Sequence, residues 1–337
     1  MAEARATPTV RVGLDGVVAL CGLCLLAAAP PVLERLQADY LLPTLTRMLA
    51  YGLAAAALDL VLGYGGLVSF GHGAFLGTGA YVAGALLHHA SRGTPVLAWP
   101  IIVPGSTEAL VILPAAAAVA GILAFLIGAI SLRTRGVHFI MITLAFAQMV
   151  YFLVLAVPEY GGTDGLMLPA RWRVAGLPVR GDAPRYWGAL ILLGLFILAA
   201  RRAMEARYGL ALRGARQNER RLLALGYRVY AIRLLAFTAS GACTGIAGAL
   251  LADVAMFVSP DLLSWQRSGE LIIMVVLGGQ GTLIGPVIGA FTLLALEEEL
   301  SALTEHWMLV LGPILLLCVL LFRRGIWGQV SRAAYPG

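Results

Sequence analysis

Long apolar runs, separated by short polar or glycine-rich stretches, dominate the chain. A membrane-spanning helix needs about 20 mostly apolar residues, and the runs predict about ten transmembrane or re-entrant helices on that criterion. The predicted helices cover residues 12–30, 43–63, 67–89, 110–131, 137–157, 186–201, 233–254, 268–281, 283–298 and 307–322. The expected fold class is therefore all-α, in a polytopic integral membrane protein.

Two places in this pattern have two interpretations. The eighth and ninth runs are short and meet at the glycine-rich turn 278–281, and the second and third meet at 63–73 with almost no polar loop. Irregular backbone is tolerated at membrane depth only where protein covers it or a cavity is lined by it. Both segments are therefore either re-entrant or ordinary loops.

The same pattern divides the chain into three parts. Residues 1–42 form an N-terminal helix and connector, residues 43–325 a transmembrane domain, and residues 326–337 a tail. Within the domain, the loops 158–185 and 203–232 are too long to be simple connectors. The second has helical character, since its charged residues recur at spacings of three and four.

Composition supports the bilayer as the solvent. The 337 residues are 60% hydrophobic and 12% charged, with a mean hydropathy of +0.87, whereas a soluble domain is about 25% charged. The net charge of +6 comes from arginine alone, and the chain contains no lysine. A nucleotide-binding P-loop requires a lysine, so any ATP would be hydrolysed by a partner. We expect a non-catalytic chain that binds no cofactor and no nucleic acid.

Arginine also predicts the orientation, because cytoplasmic loops are enriched in it. Nine arginines lie between 201 and 233, and placing that segment in the cytoplasm puts both termini there, together with Arg133, Arg135, Arg323 and Arg324. The loop 158–185 then lies outside, although it carries four arginines. A long loop that folds back on the protein follows the rule less strictly.

Five motifs occur in the order found in one transporter family. They lie at 58–75 (LDLVLGYGGLVSFGHGAF), 132–146 (LRTRGVHF, then TLAF), 161–166 (GGTDGL), 224–240 (ALGY, then LLAFTAS) and 278–286 (GGQGTLIGP). Over roughly 45–325 the chain resembles the LivM-like permease subunits of branched-chain amino acid ABC importers. It departs from them at Asp59 and Asp164, where asparagine is common.

The resemblance implies a membrane-spanning permease subunit of an ATP-binding cassette importer, multi-pass in the bacterial inner membrane. It implies a second, LivH-like permease subunit, two cytoplasmic ATPase subunits that use ATP and Mg, and a periplasmic solute-binding protein as partners. The solute would be a branched-chain or other amino acid, or a similar small polar molecule, moved by alternating access. The alternative is an ion-coupled secondary transporter or channel that works without ATPase subunits.

The segment 205–232 is the candidate for coupling to the ATPases. An ATPase outside the bilayer moves a permease only through mechanical contact, and the resemblance places that contact here. Arg216, Glu219 and Arg220 are the candidate contacts, and Gly226 is expected to make the turn that ends the helix. The simpler alternative is an arginine-rich loop that only fixes the orientation.

Candidate residues for the translocation pathway are Asp59, Ser69, His72 and Phe75. Carboxylates inside apolar helices are costly and often functional, and broken helices often hold solute sites. The alternatives are packing of small residues around a hydrogen-bonded His72, and an Asp59 that is protonated or paired with His72 or an arginine. In an unbroken helix Asp59 and His72 would be too far apart to pair.

The motif with Gly162, Thr163 and Asp164 is the candidate for an outer gate or a contact with the binding protein. Its glycines and short polar side chains are equally typical of a structural turn. Asp253 and Glu270 fall near the outer ends of their predicted helices. For these two we expect solvated positions at the membrane interface.

Overall fold

The structure, a computed structural model, describes residues 22, 24–97, 103–179, 181–321 and 325–328. Most of the predicted first span, Arg323 and Arg324, and most of the tail therefore lie outside the described residues. The helices are α1 (24–35), α2 (Leu42–Asp59), α3 (His72–Arg92), α4 (Ala109–Ser131), α5 (Val137–Leu155), α6 (Ala183–Glu205), α7 (Arg207–Gln217), α8 (Glu219–Ala224), α9 (Val229–Ala255), α10 (Trp265–Gly278), α11 (Gly285–Leu303) and α12 (Trp307–Leu321).

Short elements complete the chain. A π-helical turn covers Leu60–Tyr64, and 3-10 turns cover Asp39–Leu41, Pro158–Tyr160 and Pro260–Leu263. The strands are β1 (Pro95–Leu97), β2 (Val103–Pro104), β3 (Leu166–Met167), β4 (Arg173–Val174), β5 (Leu177–Pro178) and β6 (Phe257–Val258). They form three antiparallel pairs, β1 with β2, β3 with β6, and β4 with β5.

The all-α, polytopic expectation is confirmed, and the helices follow the predicted apolar runs closely. Five helical stretches in the described part of the chain are long and apolar enough to cross a membrane: Asp39–Tyr64, Ala109–Ser131, Val137–Leu155, Ala183–Glu205 and Val229–Ala255. The helix α12 is apolar but shorter, and α10 has only 14 residues. The number of ten crossings and the location of the termini thus stay predictions.

Three helices form the centre of the bundle. The helix α2 is 89% buried over its apolar window, and α3 packs against α9 through small residues. A Cβ added at Gly79 would collide with the backbone of Gly245, and one at Gly248 with the carbonyl of Leu76. Glycines at such crossings let helix backbones approach closely.

The outer helices α4, α5 and α6 bury one narrow side only. On α5 the buried residues are Phe139, Thr143, Ala147 and Val150, at helical spacings of four, four and three. The rest of its surface is apolar and open, with Met141, Phe152 and Leu153 each more than 60% exposed. Such a surface is suited to lipid or to another apolar protein.

The bundle has two distinct ends. One end contains α7, α8, the π turn and the turn 279–284, since Arg216 contacts Gly63 and Gly63 lies beside Gly281. We call it the Arg-rich end. The opposite end contains the loop 158–182 and the end of α9, which β3 and β6 join. The loop 203–232 contains the two short helices α7 and α8, in agreement with the helical character of its charge spacing.

The chain breaks between α2 and α3, inside the glycine-rich segment 63–73 at which the two predicted helices meet. After the π turn, residues 65–71 are not helical, and α3 begins at His72. The His72 ring contacts Ser240, which lies about 16 Å along α9 from its start at 1.5 Å per residue. The break therefore carries the chain from the Arg-rich end back into the bundle before α3 starts.

Candidate functional site

A group of buried side chains holds the start of α3 inside the bundle. It consists of Ser69, His72, Thr143, Ser240 and Ser268, all with 0% exposure, and we call it the hydroxyl junction. It brings together the break, α5, α9 and α10. Because buried polar groups require partners, its hydrogen bonds can be followed atom by atom.

The His72 ring lies between two serines. The Ser240 hydroxyl donates its proton to the carbonyl of Ala57 at 2.5 Å, so it accepts from His72 Nε2 at 2.9 Å. The other ring nitrogen, Nδ1, then accepts from the Ser69 hydroxyl at 3.3 Å, and Ser69 Oγ in turn accepts from the Gly71 amide at 3.2 Å. This set of bonds matches a neutral imidazole that carries its proton on Nε2.

Two further hydroxyls bind the backbone of the break in the same way. Ser268 donates to the carbonyl of Phe70 at 2.7 Å and accepts from the Gly73 amide at 2.8 Å. Thr143 donates to the carbonyl of Ile140 at 2.9 Å and accepts from the Phe70 amide at 3.3 Å. Every hydroxyl of the junction thus donates once and accepts once, which makes it a satisfied structural network.

Aromatic rings enclose the junction. His72, Phe75 and Phe237 meet edge to face, with ring centroids 5.3 to 5.7 Å apart. Phe139 packs on Phe237 at 6.1 Å. The predicted pathway residues Ser69, His72 and Phe75 are therefore brought together, but all are fully buried in the chain. Their geometry matches the alternative of a hydrogen-bonded core histidine.

Asp59 lies apart from this group and is also fully buried. Its Oδ1 accepts from the Gly281 amide at 2.7 Å, and its Oδ2 accepts from the Leu283 amide at 3.4 Å. Neither His72 nor an arginine side chain forms its hydrogen bonds, in contrast to the pairing considered from the sequence. The carboxylate caps the turn 279–284, which the linear sequence gave no means of locating.

The predicted coupling residues divide into two groups. Arg216 and Glu219 form contacts within the chain. Arg216 Nη1 donates to the carbonyl of Gly63, and Glu219 forms ion pairs with Arg135 at 2.8 Å and Arg233 at 3.1 Å. Arg220 is exposed. Arg216 and Glu219 therefore fix the short helices α7 and α8 to the bundle, and other residues form their free surface.

The free surface of α8 combines apolar and cationic side chains. Leu223, Leu225 and Tyr227 are 50%, 67% and 47% exposed, and Arg220 lies on the same short helix. Exposed leucines beside arginines, rigidly held, make a surface suited to a protein groove. None of these apolar residues was selected from the sequence as a coupling contact, although Leu225 and Tyr227 belong to the motif at 224–240.

Gly226 ends α8 as the sequence predicted. It has φ of +83°, its amide donates to the carbonyl of Leu223 at 2.9 Å, and the Tyr227 amide donates to that of Leu222 at 3.2 Å. This pair of bonds is the Schellman motif, which uses a left-handed glycine. At the other end of α8, the Asn218 side chain accepts from the Arg221 amide at 3.0 Å.

The glycine motif of the loop 158–182 lies at the opposite end. Gly161, Gly162 and Gly165 all have positive φ, Gly162 is buried, and Thr163 and Asp164 are exposed. The Thr163 hydroxyl donates to Asp164 Oδ1 at 3.3 Å. The motif leads directly into β3, whose pairing with β6 attaches it to the end of α9.

Other expected positions differ. Asp253 is only 3% exposed, so its predicted solvated position is wrong: the loop 158–182 folds over it. Glu270 is partly exposed and pairs with Arg267 at 2.8 Å. Among the described residues, no group of three or more histidine, cysteine, aspartate or glutamate side chains is suited to a metal ion.

Comparison with known proteins bears directly on this arrangement. The family described as "Branched-chain amino acid transport system / permease component" matches residues 40–320. The Escherichia coli K12 high-affinity branched-chain amino acid transport system permease protein LivM is 29% identical over 91% of this chain and 74% of its own length. LivH of Salmonella typhimurium is 23% identical over 83% and 91%.

A more distant relative is the autoinducer 2 import system permease protein LsrC of Photorhabdus laumondii, 32% identical over 48% of this chain and 53% of its own. No solved structure matches this chain significantly. Four of the five sequence motifs meet around the α2–α3 break, since they supply Asp59, His72, Thr143, Ser240 and Gly281. The chain belongs to the family of branched-chain amino acid transport system permease components.

Proposed function

We propose that this chain is the LivM-like permease subunit of an ATP-driven importer in the inner membrane, and that it carries branched-chain or other small amino acids. The observation that carries the proposal is the attachment of α7 to the π turn beside the α2–α3 break, through Arg216, together with the attachment of α8 to α9 through Glu219 and Arg233. A segment that only fixed orientation would need no such contacts. A segment that transmits force needs firm attachment on one side and a free surface on the other.

The free surface of α8 is the proposed contact with an ATPase subunit. Arg220, Leu223, Leu225 and Tyr227 form it, while Gly226 and Asn218 fix the ends of the helix. This places the Arg-rich end in the cytoplasm, which agrees with the excess of arginine expected there. On this orientation α2 runs inward, α9 outward and α11 outward, and both termini are cytoplasmic, with ten crossings or re-entrant segments in all.

The proposed pathway lies beside this chain and not inside it. The residues first selected for the pathway are fully buried, so we assign Ser69, His72 and Phe75 to support of the broken helix. The open, apolar sides of α4, α5 and α6 are surfaces that lipid or a second, LivH-like permease subunit would cover. Thr163 and Asp164, exposed at the opposite end, are the proposed outer contact for a periplasmic binding protein.

The test is reconstitution. The chain is co-expressed with a LivH-like permease, two ATPase subunits and the binding protein of the same system, purified through a tag on this chain, and placed in proteoliposomes. We expect ATPase subunits to co-purify, and ATP inside the vesicles to drive uptake of radiolabelled leucine delivered by the binding protein. Mg²⁺ and ATP would be bound by the ATPase subunits.

The variant that tests the contact is Leu223→Glu with Leu225→Glu, which is compared with the wild type. It places two negative charges on the proposed contact and leaves the core unchanged. This variant should insert in the membrane but lose the ATPase subunits. Uptake driven by an ion gradient, with this chain alone in liposomes, would overturn the proposal in favour of a secondary transporter. Retention of the ATPases by the double variant would place the contact elsewhere.

A further inference from the structure

The π turn joins elements that are far apart in the chain. On one side, Arg216 of α7 donates to the carbonyl of Gly63, and its aliphatic part lies over Gly66. Gly66 has φ of +68°, and a Cβ there would lie 2.7 Å from Arg216 Cγ. A short helix bonded to backbone in this way cannot shift without moving the turn.

On the other side, Asp59 binds the turn between α10 and α11 through the amides of Gly281 and Leu283. Leu283 has φ of +58°, a conformation that is strained for a bulky side chain. Its side chain is 6% exposed and packs in the same apolar cluster as Leu60 and Leu212 of α7. Asp59 and α7 together therefore hold this strained turn, and strained backbone is common at switching elements.

The start of α10 is attached to the same stretch of chain. Ser268, in its first turn, bonds both the carbonyl of Phe70 and the amide of Gly73. The segment 59–73 thus contacts α10 at its first turn and, through Asp59, at the turn that follows its last residue. Hydrogen bonds at both ends make α10 and this segment one mechanical unit.

We propose that Asp59 is a positioning residue that makes α10 move with α7, so that a displacement imposed on α7 reaches the interior of the bundle. The inference rests on the proposed function. It explains why a carboxylate is placed in an apolar run, since one carboxylate accepts from two backbone amides, each on its own oxygen. Asp59 then acts through hydrogen-bond acceptors and not through its charge on a solute.

The experiment uses the complete reconstituted importer with Asp59→Asn and Asp59→Leu. The readout is the number of leucine molecules transported per ATP hydrolysed. Asparagine keeps one oxygen for the Gly281 amide, so we expect a loss below about threefold, whereas leucine leaves both buried amides without an acceptor and should lower the ratio by about tenfold or more. Co-purification of the ATPase subunits should be unchanged in both.

Arg216→Ala tests the same connection from its accessible side, in case Asp59→Leu fails to assemble. It should lower the number of leucine molecules transported per ATP. In the double variant Arg216→Ala with Asp59→Asn, this ratio should fall by less than the product of the two single fold losses, since both residues act on one connection. Arg202→Ala, an exposed arginine of the same end, is the control and should be neutral.

Three outcomes would overturn the inference. These are an unchanged ratio in Asp59→Leu, independent effects of Arg216 and Asp59, or an Asp59→Asn variant as impaired as Asp59→Leu with a raised KM for leucine. The last would assign Asp59 to solute binding. Failure of the proposed function is distinct from all three, since it would appear as wild-type protein without ATPase subunits.

Discussion

Asp59 and Asp253 are both carboxylates buried in apolar helices, one at each end of the bundle, and they are held in different ways. Asp59 has a backbone amide on each oxygen. Asp253 lies near the backbone amide of Trp172 and the guanidinium of Arg185, and its Oδ1 has no hydrogen-bond partner in the described part of the chain. The first is fixed by two hydrogen bonds to one turn, whereas the second lies beside a cation that forms its ion pair with Asp182.

If Asp59 transmits movement as proposed, this difference separates such a position from one that holds the loop 158–182 against the end of α9. The amides of Gly281 and Leu283 fix the direction of the Asp59 carboxylate, with one hydrogen bond on each oxygen. At the opposite end, Arg185 Nε and the indole Nε1 of Trp172 have no hydrogen-bond partner in the described part of the chain. Arg185 is additionally 3.1 Å from Asp182. We therefore expect the opposite end to depend on charge balance, and the Arg-rich end on the position of acceptors.

The largest effect is expected from unbalancing the charges. Asp253→Leu leaves the buried guanidinium of Arg185 with only Asp182, and should lower the free energy of unfolding by about 3 kcal/mol. The double variant Asp253→Leu with Arg185→Leu should recover most of this loss, since apolar side chains can replace buried groups of opposite charge. Thermal unfolding in detergent measures both. A double variant no more stable than the single one would contradict the assignment.

The next effect concerns space beside Asp59. A Cβ on Gly63 would collide with the Asp59 carboxylate and with the amide of Gly281, so Gly63→Ala should cost about 2 kcal/mol through displacement of the turn. Gly188→Ala in α6 is the control, because nothing lies within 4 Å of its Cβ position, and should be neutral or slightly stabilising. Equal effects of the two substitutions in thermal unfolding would show that the turn adapts freely.

A smaller effect is expected at the end of α8. Gly226 needs a positive φ but has open space around it, so Gly226→Ala should cost about 1 kcal/mol through backbone strain alone. Gly226→Asn should lose less, since asparagine tolerates this conformation. Limited proteolysis between α8 and α9 provides the measurement. Equal cleavage of the alanine and asparagine variants would exclude the strain explanation.

The smallest effect is expected from the ion pairs of Glu219. The Arg135 side chain is 74% exposed and that of Arg233 only 14%. Exposed pairs contribute about 0.2–1 kcal/mol, so the Glu219–Arg135 coupling in a double-mutant cycle should be the weaker of the two and should vanish in about 1 M salt. A salt-resistant coupling to Arg135 would show that this pair is more enclosed than its exposure indicates.

The lengths of the apolar runs were sufficient to predict the long helices of the described part of the chain, since each such run must form its hydrogen bonds internally within a bilayer. The break between α2 and α3 was also predictable, because glycines and a lack of polar residues occur together at 63–73. The same reasoning could not reveal that α10 starts inside the bundle. Its first residues, Trp265 to Ser268, look like an ordinary interface sequence.

The roles of individual polar residues were harder to predict. Asp59 and Gly281 are 222 positions apart, and no periodicity relates a carboxylate to a distant backbone amide. Ser268 lies outside the five motifs, and nothing in its neighbourhood distinguishes it from a solvated serine. Asp253 was placed at the membrane interface because the sequence does not show that Trp172 folds over it. Gly226, by contrast, was predicted correctly because a helix end is a local feature.

The hydroxyl junction has a consequence for proton movement. Its longest chain runs from the Gly71 amide through Ser69, His72 and Ser240 to the carbonyl of Ala57. Both termini are peptide groups, which neither release nor take up protons readily. A proton entering this chain would have no exit, so the chain through His72 cannot conduct protons. His72 and the serines around it therefore form a closed network that offers no route for protons through the bundle.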